Sequence, residues 1–135
     1  MGAVRVGDDD TDATEPCHVL VVDDDKALAT VVAESLELVD DELETTYTTE
    51  PRQALRRLEH DAVDCLVTDY EMPGLDGLTL VDEDSTDTPF ILYTQRREER
   101  LANGVRERGG EYFHKQTGHE QYRRLATLVR EQVQN

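Results

Sequence analysis

Tryptophan is absent from this 135-residue sequence, phenylalanine occurs twice, and lysine occurs only as Lys26 and Lys115. The other basic residues are arginines, and all 14 are outnumbered by 31 aspartates and glutamates, a formal charge of −17. That balance disfavours nucleic acid or an anionic membrane as a direct partner, because both are polyanions. Excess acid with scarce lysine fits a halophile-like surface, on which salt screens carboxylate repulsion, and equally an ordinary acidic soluble protein. Cysteine is nearly missing too. Cys17 and Cys65 have no metal-type spacing and read as small buried hydrophobes in a reducing compartment. No apolar run exceeds Val19–Val22, far short of the roughly 20 residues a membrane-spanning helix needs. Residues 1–16 carry Asp8-Asp9-Asp10 and no apolar stretch of the signal-peptide kind, which predicts a disordered acidic leader and a cytoplasmic protein.

What is present alternates. The length suits one domain, residues 17–135, with a real core. A short apolar strand, His18–Val22, stops at Asp23-Asp24-Asp25. A helix follows from Lys26 to about Leu38, with Leu28, Val31, Val32, Ser35, Leu36 and Val39 at near-helical spacing. Residues 42–48 read as a second strand, and Pro51 opens a helix to about Glu59 whose apolar stripe is Ala54, Leu55 and Leu58. The third strand, Val63–Thr68, runs into Asp69 and the turn Met72-Pro73-Gly74, and a short helix covers about Leu75–Val81. Pro89 opens the fourth strand, Phe90–Tyr93, which ends at Thr94. A charged helix, Glu98–Arg108, closes on Gly109-Gly110. The strand Glu111–His114 leads to Lys115, and the last helix runs from Glu120 to about Val133 with Tyr122, Leu125, Leu128 and Val129 inward. Strands alternating with helices, several of them apolar throughout, predict an α/β doubly wound parallel sheet covered on both faces.

In such a sheet the carboxyl ends of all strands share one rim, where open α/β sheets place their ligands. The chain delivers Asp23 and Asp24, Asp69, Thr94 and Lys115 there. Three carboxylates in one crevice repel one another unless a cation joins them. A hard, oxygen-ligated ion such as Mg²⁺ suits that need, since it binds a few carboxylates and takes phosphate oxygens as further ligands. A hydroxyl and an ammonium opposite would complete a pocket for an anionic group carried on, or attacked by, Asp69.

On VLVVDDD, VTDYEMPGLDG, ILYT and YFHK, in that order, residues 17–133 resemble the receiver domain of two-component response regulators. The resemblance implies a flavodoxin-like three-layer sandwich with strand order 2-1-3-4-5. It implies that Asp69 accepts a phosphoryl group from a histidine kinase or phosphotransfer protein. Mg²⁺ ligands would be Asp24, Asp23, Asp69 and the backbone carbonyl of Glu71. Thr94 and Lys115 would bind the phosphoryl group, and Thr94 and Tyr112 would be the switch residues. A downstream protein would bind the surface of the fourth helix, fifth strand and fifth helix, with the chain a monomer or a phosphorylation-dependent dimer. No catalysis beyond self-phosphorylation and autodephosphorylation is implied, and with the chain ending at its fifth helix the output is expected to be a binding event with another protein, unless the chain is a piece of a larger regulator or hybrid kinase.

The chain also departs from that pattern. Gln116 stands where the family usually has proline after the lysine, and Gln95 stands where it usually has a small residue. Glu71 adds a carboxylate beside the pocket, and the stretch from Asp69 to Thr94 is short. Asp25 reads as a helix cap, His18, His60, His114 and His119 as structural, and Arg96, Arg97 and Arg100 as a solvated helix face. Two other readings remain open. Asp23-Asp24-Asp25-Lys26-Ala27 partly fits the nucleophile pattern of haloacid-dehalogenase-like phosphatases, with Asp23 as nucleophile, and a degenerate receiver would act as a binding module without phosphate.

Overall fold

A computed structural model describes residues 15–134, so the predicted leader lies almost wholly outside the described residues. The elements are β1 (Cys17–Val22), α1 (Lys26–Val39), β2 (Leu43–Thr48), α2 (Pro51–His60), β3 (Cys65–Thr68), α3 (Gly77–Glu83), β4 (Phe90–Thr94), α4 (Glu99–Glu107), β5 (Glu111–His114) and α5 (Glu120–Gln134). All strand pairs are parallel, in the order β2-β1-β3-β4-β5. This is the three-layer sandwich that the alternation predicts.

Side chains on a strand point alternately to opposite faces, and here both faces are covered. Val19 and Val21 of β1, Cys65 and Val67 of β3, and Ile91 and Tyr93 of β4 pack under α1 and α5. Leu20 and Val22, Leu66, and Phe90 and Leu92 pack under α2, α3 and α4. That is why these strands read as unbroken apolar runs. Each fully buried Leu or Ile among them contributes about 1.5–3 kcal/mol. The edge strand β2 alternates instead, and its exposed side is engaged by its own chain: the Thr45 amide donates to Glu37 Oε2 at 2.7 Å. Occupying an edge amide in this way protects it from pairing with another chain.

Several boundaries and one stripe differ from the sequence expectation, most clearly in β3, α3 and α4. Strand β3 begins at Cys65 rather than Val63, because Asp64 turns back on β1: its carboxylate accepts from the His18 amide at 2.9 Å. Helix α3 begins at Gly77 rather than Leu75, because Asp76 Oδ1 caps it by accepting from the Thr79 amide at 2.8 Å. Leu75 is buried without being helical. Helix α4 is one residue shorter at each end than expected. In α1 the core stripe is Ala29, Val32, Ala33 and Leu36, whereas Leu28 and Val31 face outward.

Candidate functional site

Backbone register brings the rim residues together. The Asp69 amide donates to the Val22 carbonyl at 3.0 Å, tying the end of β3 to the end of β1, and the Lys115 amide donates to the Thr94 carbonyl at 2.8 Å, tying β5 to β4. A cleft of about 570 Å³ results, lined by Asp23, Asp24, Asp69, Glu71, Thr94 and Lys115, with Asp25, Leu28, Gln95 and Arg96 around its mouth. All the predicted rim residues therefore line one cavity. Tyr112 does not: it sits half-buried on the α4 side of the sheet, and its hydroxyl donates to the Arg96 carbonyl.

Lys115 joins two of the acids. Its ammonium lies 3.0 Å from Asp23 Oδ2 and 3.3 Å from Asp69 Oδ2, with side-chain exposures of 10 % for Lys115, 5 % for Asp23 and 15 % for Asp69. Burial alone would depress the lysine, but the Asp69 and Asp23 charges outweigh it and raise its pKa. Burial raises the Asp23 carboxyl, against the opposing pull of the Asp25 amide and Lys115. Asp23 Oδ1 accepts from that Asp25 amide at 2.9 Å, and Asp25 Oδ1 in turn caps α1 by accepting from the Leu28 amide at 3.2 Å. Asp69 Oδ1 accepts from the Tyr70 amide at 2.7 Å. Thr94 is buried, and its hydroxyl oxygen accepts from the Arg96 amide at 3.2 Å.

Asp23, Asp24 and Asp69 each offer a carboxylate oxygen within 4.8 Å of the others. One ammonium does not balance three such carboxylates, so the donor set fits a hard divalent cation with open positions for water and phosphate oxygens. Of the three, Asp24 is exposed, which leaves room for the remaining ligands.

Several features of the site were not visible in the sequence reading. Arg96 precedes α4 rather than lying on its solvated face; it pairs with Glu71 at 3.3 Å and with Glu98, and its guanidinium lies 5.6 Å from the Tyr70 ring centre. The extra carboxylate of Glu71 is thus bound by an arginine across the mouth of the cleft. Gly77 meets the Asp69 peptide so closely that a Cβ there would lie 2.2 Å from the Asp69 carbonyl oxygen. Gln121 is buried and bonded to the loop that carries Lys115. A pair separated by 25 positions and a buried amide that answers backbone groups leave no periodic trace in a sequence.

Residues 19–126 match the response regulator receiver domain, and the chain belongs to that family. It is 31 % identical over 97 residues to the cyclic di-GMP phosphodiesterase response regulator RpfG of Xanthomonas campestris pv. campestris (strain 8004), covering 68 % of this chain and 26 % of RpfG. It is 28 % identical over 96 residues to the putative two-component response regulator ARR21 of Arabidopsis thaliana, covering 65 % of this chain and 15 % of ARR21. The chain therefore spans only a small part of the curated relatives it matches. Among solved structures, the response regulator domain of Thermotoga maritima CheB superposes with a TM-score of 0.78 at 19 % identity, covering 90 % of this chain and 98 % of that one. This likeness shows the shared fold. The chain is a receiver domain of two-component signalling.

Proposed function

We propose that this receiver accepts a phosphoryl group on Asp69 from the phosphohistidine of a histidine kinase or phosphotransfer protein, and thereby changes what its α4–β5–α5 surface binds. The observation that carries the reading is the Lys115 ammonium held between Asp23 and Asp69 inside the rim cleft. An oxygen of Asp69 attacks phosphorus in line, the bond from phosphorus to the imidazole nitrogen breaks, and its electron pair stays on the ring. Lys115, already within reach of Asp69, exchanges a carboxylate oxygen for a phosphoryl oxygen. Asp23, Asp24, Asp69 and the Glu71 carbonyl would hold Mg²⁺, which when bound would neutralise charge on the transferring oxygens.

Phosphorylation replaces one negative charge by about two. The Thr94 hydroxyl donates to the added oxygens, and its hold on the Arg96 amide carries that motion into the loop whose Arg96 carbonyl accepts from Tyr112. Such coupling is typically about 1–3 kcal/mol, a severalfold to hundredfold change in partner affinity. The domain occupies residues 17–135 behind a leader of 1–16, works in the cytoplasm as a monomer or a phosphorylation-dependent dimer, and catalyses nothing beyond its own phosphorylation and dephosphorylation. Among the described residues no helix is long and apolar enough to cross a membrane. The alternative nucleophile Asp23 is the less accessible of the two acids, with a side-chain exposure of 5 % against 15 % for Asp69. Incubation with acetyl phosphate and Mg²⁺, followed by mass mapping of a base-labile phosphoryl group, tests the proposal. A label on Asp69 supports it; a label on Asp23, or no label, refutes it.

A further inference from the structure

Gln121 is 6 % exposed, although it lies only one residue inside the start of α5. Its side-chain amide is fully engaged. Oε1 accepts from the Gln116 amide at 3.0 Å and from the Tyr93 hydroxyl, while Nε2 donates to the carbonyls of Gln116 at 2.6 Å and Gly118 at 2.8 Å. Two donations and two acceptances exhaust what a glutamine offers. Three of those four bonds go to the loop between β5 and α5, the loop that opens with Lys115. The fourth goes to Tyr93, whose ring lies 5.5 Å from the Lys115 ammonium and stacks on Phe113 at 5.7 Å. One buried amide therefore ties the backbone that follows Lys115 to the aromatic floor beneath its side chain. Gln116 cannot fix the backbone as a proline would, because it leaves φ free.

We propose that Gln121 is the positioning residue for Lys115. Through Tyr93 and the Gln116 backbone it holds the ammonium at the distance from Asp69 that phosphoryl transfer uses. The inference rests on the reading of Asp69 as phospho-acceptor. A glutamine that merely stabilised the start of α5 would affect unfolding but not the lysine.

Only Lys26 and Lys115 carry side-chain ammonium groups, so a protein labelled with ¹⁵N-lysine gives two such signals, and Lys26 is the internal reference. In the full chain the Lys115 signal is expected to exchange slowly with water and to be shifted by the Tyr93 ring. In Gln121→Leu it should move to the Lys26 position, and the rate of Asp69 labelling by acetyl phosphate with Mg²⁺ should fall on the order of 10- to 100-fold, the scale for an Å-sized misplacement. Gln121→Glu keeps the size and the two acceptances but loses both donations, and it should shift both readouts in the same direction if the leucine variant does not fold. Gln116→Pro in the leucine background should restore part of the rate. An unmoved Lys115 signal and an unchanged rate in a folded variant overturn the proposal, even if that variant melts lower. A wild-type chain that shows the Lys115 signal but takes no label fails instead on the reading of Asp69.

Discussion

Replacing Gly77 by alanine puts a methyl group where there is no room. Its Cβ would lie 2.2 Å from the Asp69 carbonyl oxygen, 3.1 Å from the carbonyl carbon and 2.9 Å from Leu92 Cδ1. The leucine can rotate away. The carbonyl cannot, because the Asp69 amide is bonded to Val22 at 3.0 Å and its oxygen accepts from the Thr68 hydroxyl at 2.9 Å. Ordinary carbon–oxygen contacts are about 3.3–3.6 Å, so the start of α3 or the Asp69 peptide must shift by about 1 Å. Overpacking of this kind costs about 1–3 kcal/mol, and alanine recovers at most about 1 kcal/mol of helix propensity. The clash wins, leaving a net loss of about 1–2 kcal/mol. For a chain of this size that lowers Tm by about 4–8 °C. Because the peptide under pressure belongs to the proposed phospho-acceptor, its rate of labelling by acetyl phosphate should also fall about 10- to 100-fold. Thermal unfolding followed by circular dichroism gives the first number and intact mass against time the second. A variant that melts within about 2 °C of the wild type and labels at the same rate would refute the reasoning.

Two further expectations come from charged groups away from the centre. Arg130 donates to Asp40 Oδ1 at 2.6 Å and to Glu42 at 2.9 Å, and its hydrogen bonds hold the Asp40 carboxyl below the usual range. A depressed folded pKa stabilises above the unfolded value of about 3.9 and is lost as pH falls through the folded one. Arg130→Met should therefore cost up to about 1 kcal/mol at neutral pH, because the guanidinium is 40 % exposed and water screens the pair, with a gap to wild type in urea midpoint that narrows as pH falls below about 4; a gap independent of pH would contradict this. Arg96 makes exposed ion pairs, so Arg96→Ala should leave the urea midpoint close to that of the wild type. It removes one of the two cations lining the cleft, so labelling by a small anionic donor should slow severalfold, and less so at high salt. A faster rate would mean that Arg96 blocks the cleft rather than attracting the donor.

The sequence made the sheet legible because β1, β3 and β4 are buried on both faces, which leaves continuous apolar runs, and because each runs into a polar rim residue, Asp23, Asp69 or Thr94. Its reading of α1 failed in part for a related reason. Leu28 and Val31 have the chemistry of core residues but lie on the outer face, and periodicity cannot separate two apolar stripes on one helix. Helix α3 begins two residues later than the apolar pattern suggests, because Leu75 is apolar and buried yet precedes the Asp76 cap. Within the cleft, residues that end strands could be foreseen and those that brace them could not. Gln121 answers backbone groups, and Arg96 meets Glu71 only once the loops are folded. Nothing in the local sequence marks either.

The central claim is that Asp69 takes the phosphoryl group in a site completed by Mg²⁺. Acetyl phosphate labelling of the wild type and of Asp69→Asn, each with Mg²⁺ and with excess chelator, tests it most directly. One base-labile phosphoryl group should appear on wild-type Asp69 with Mg²⁺, and none with chelator or in the asparagine variant. A label that persists in Asp69→Asn, maps to Asp23 or forms without divalent metal would contradict the claim.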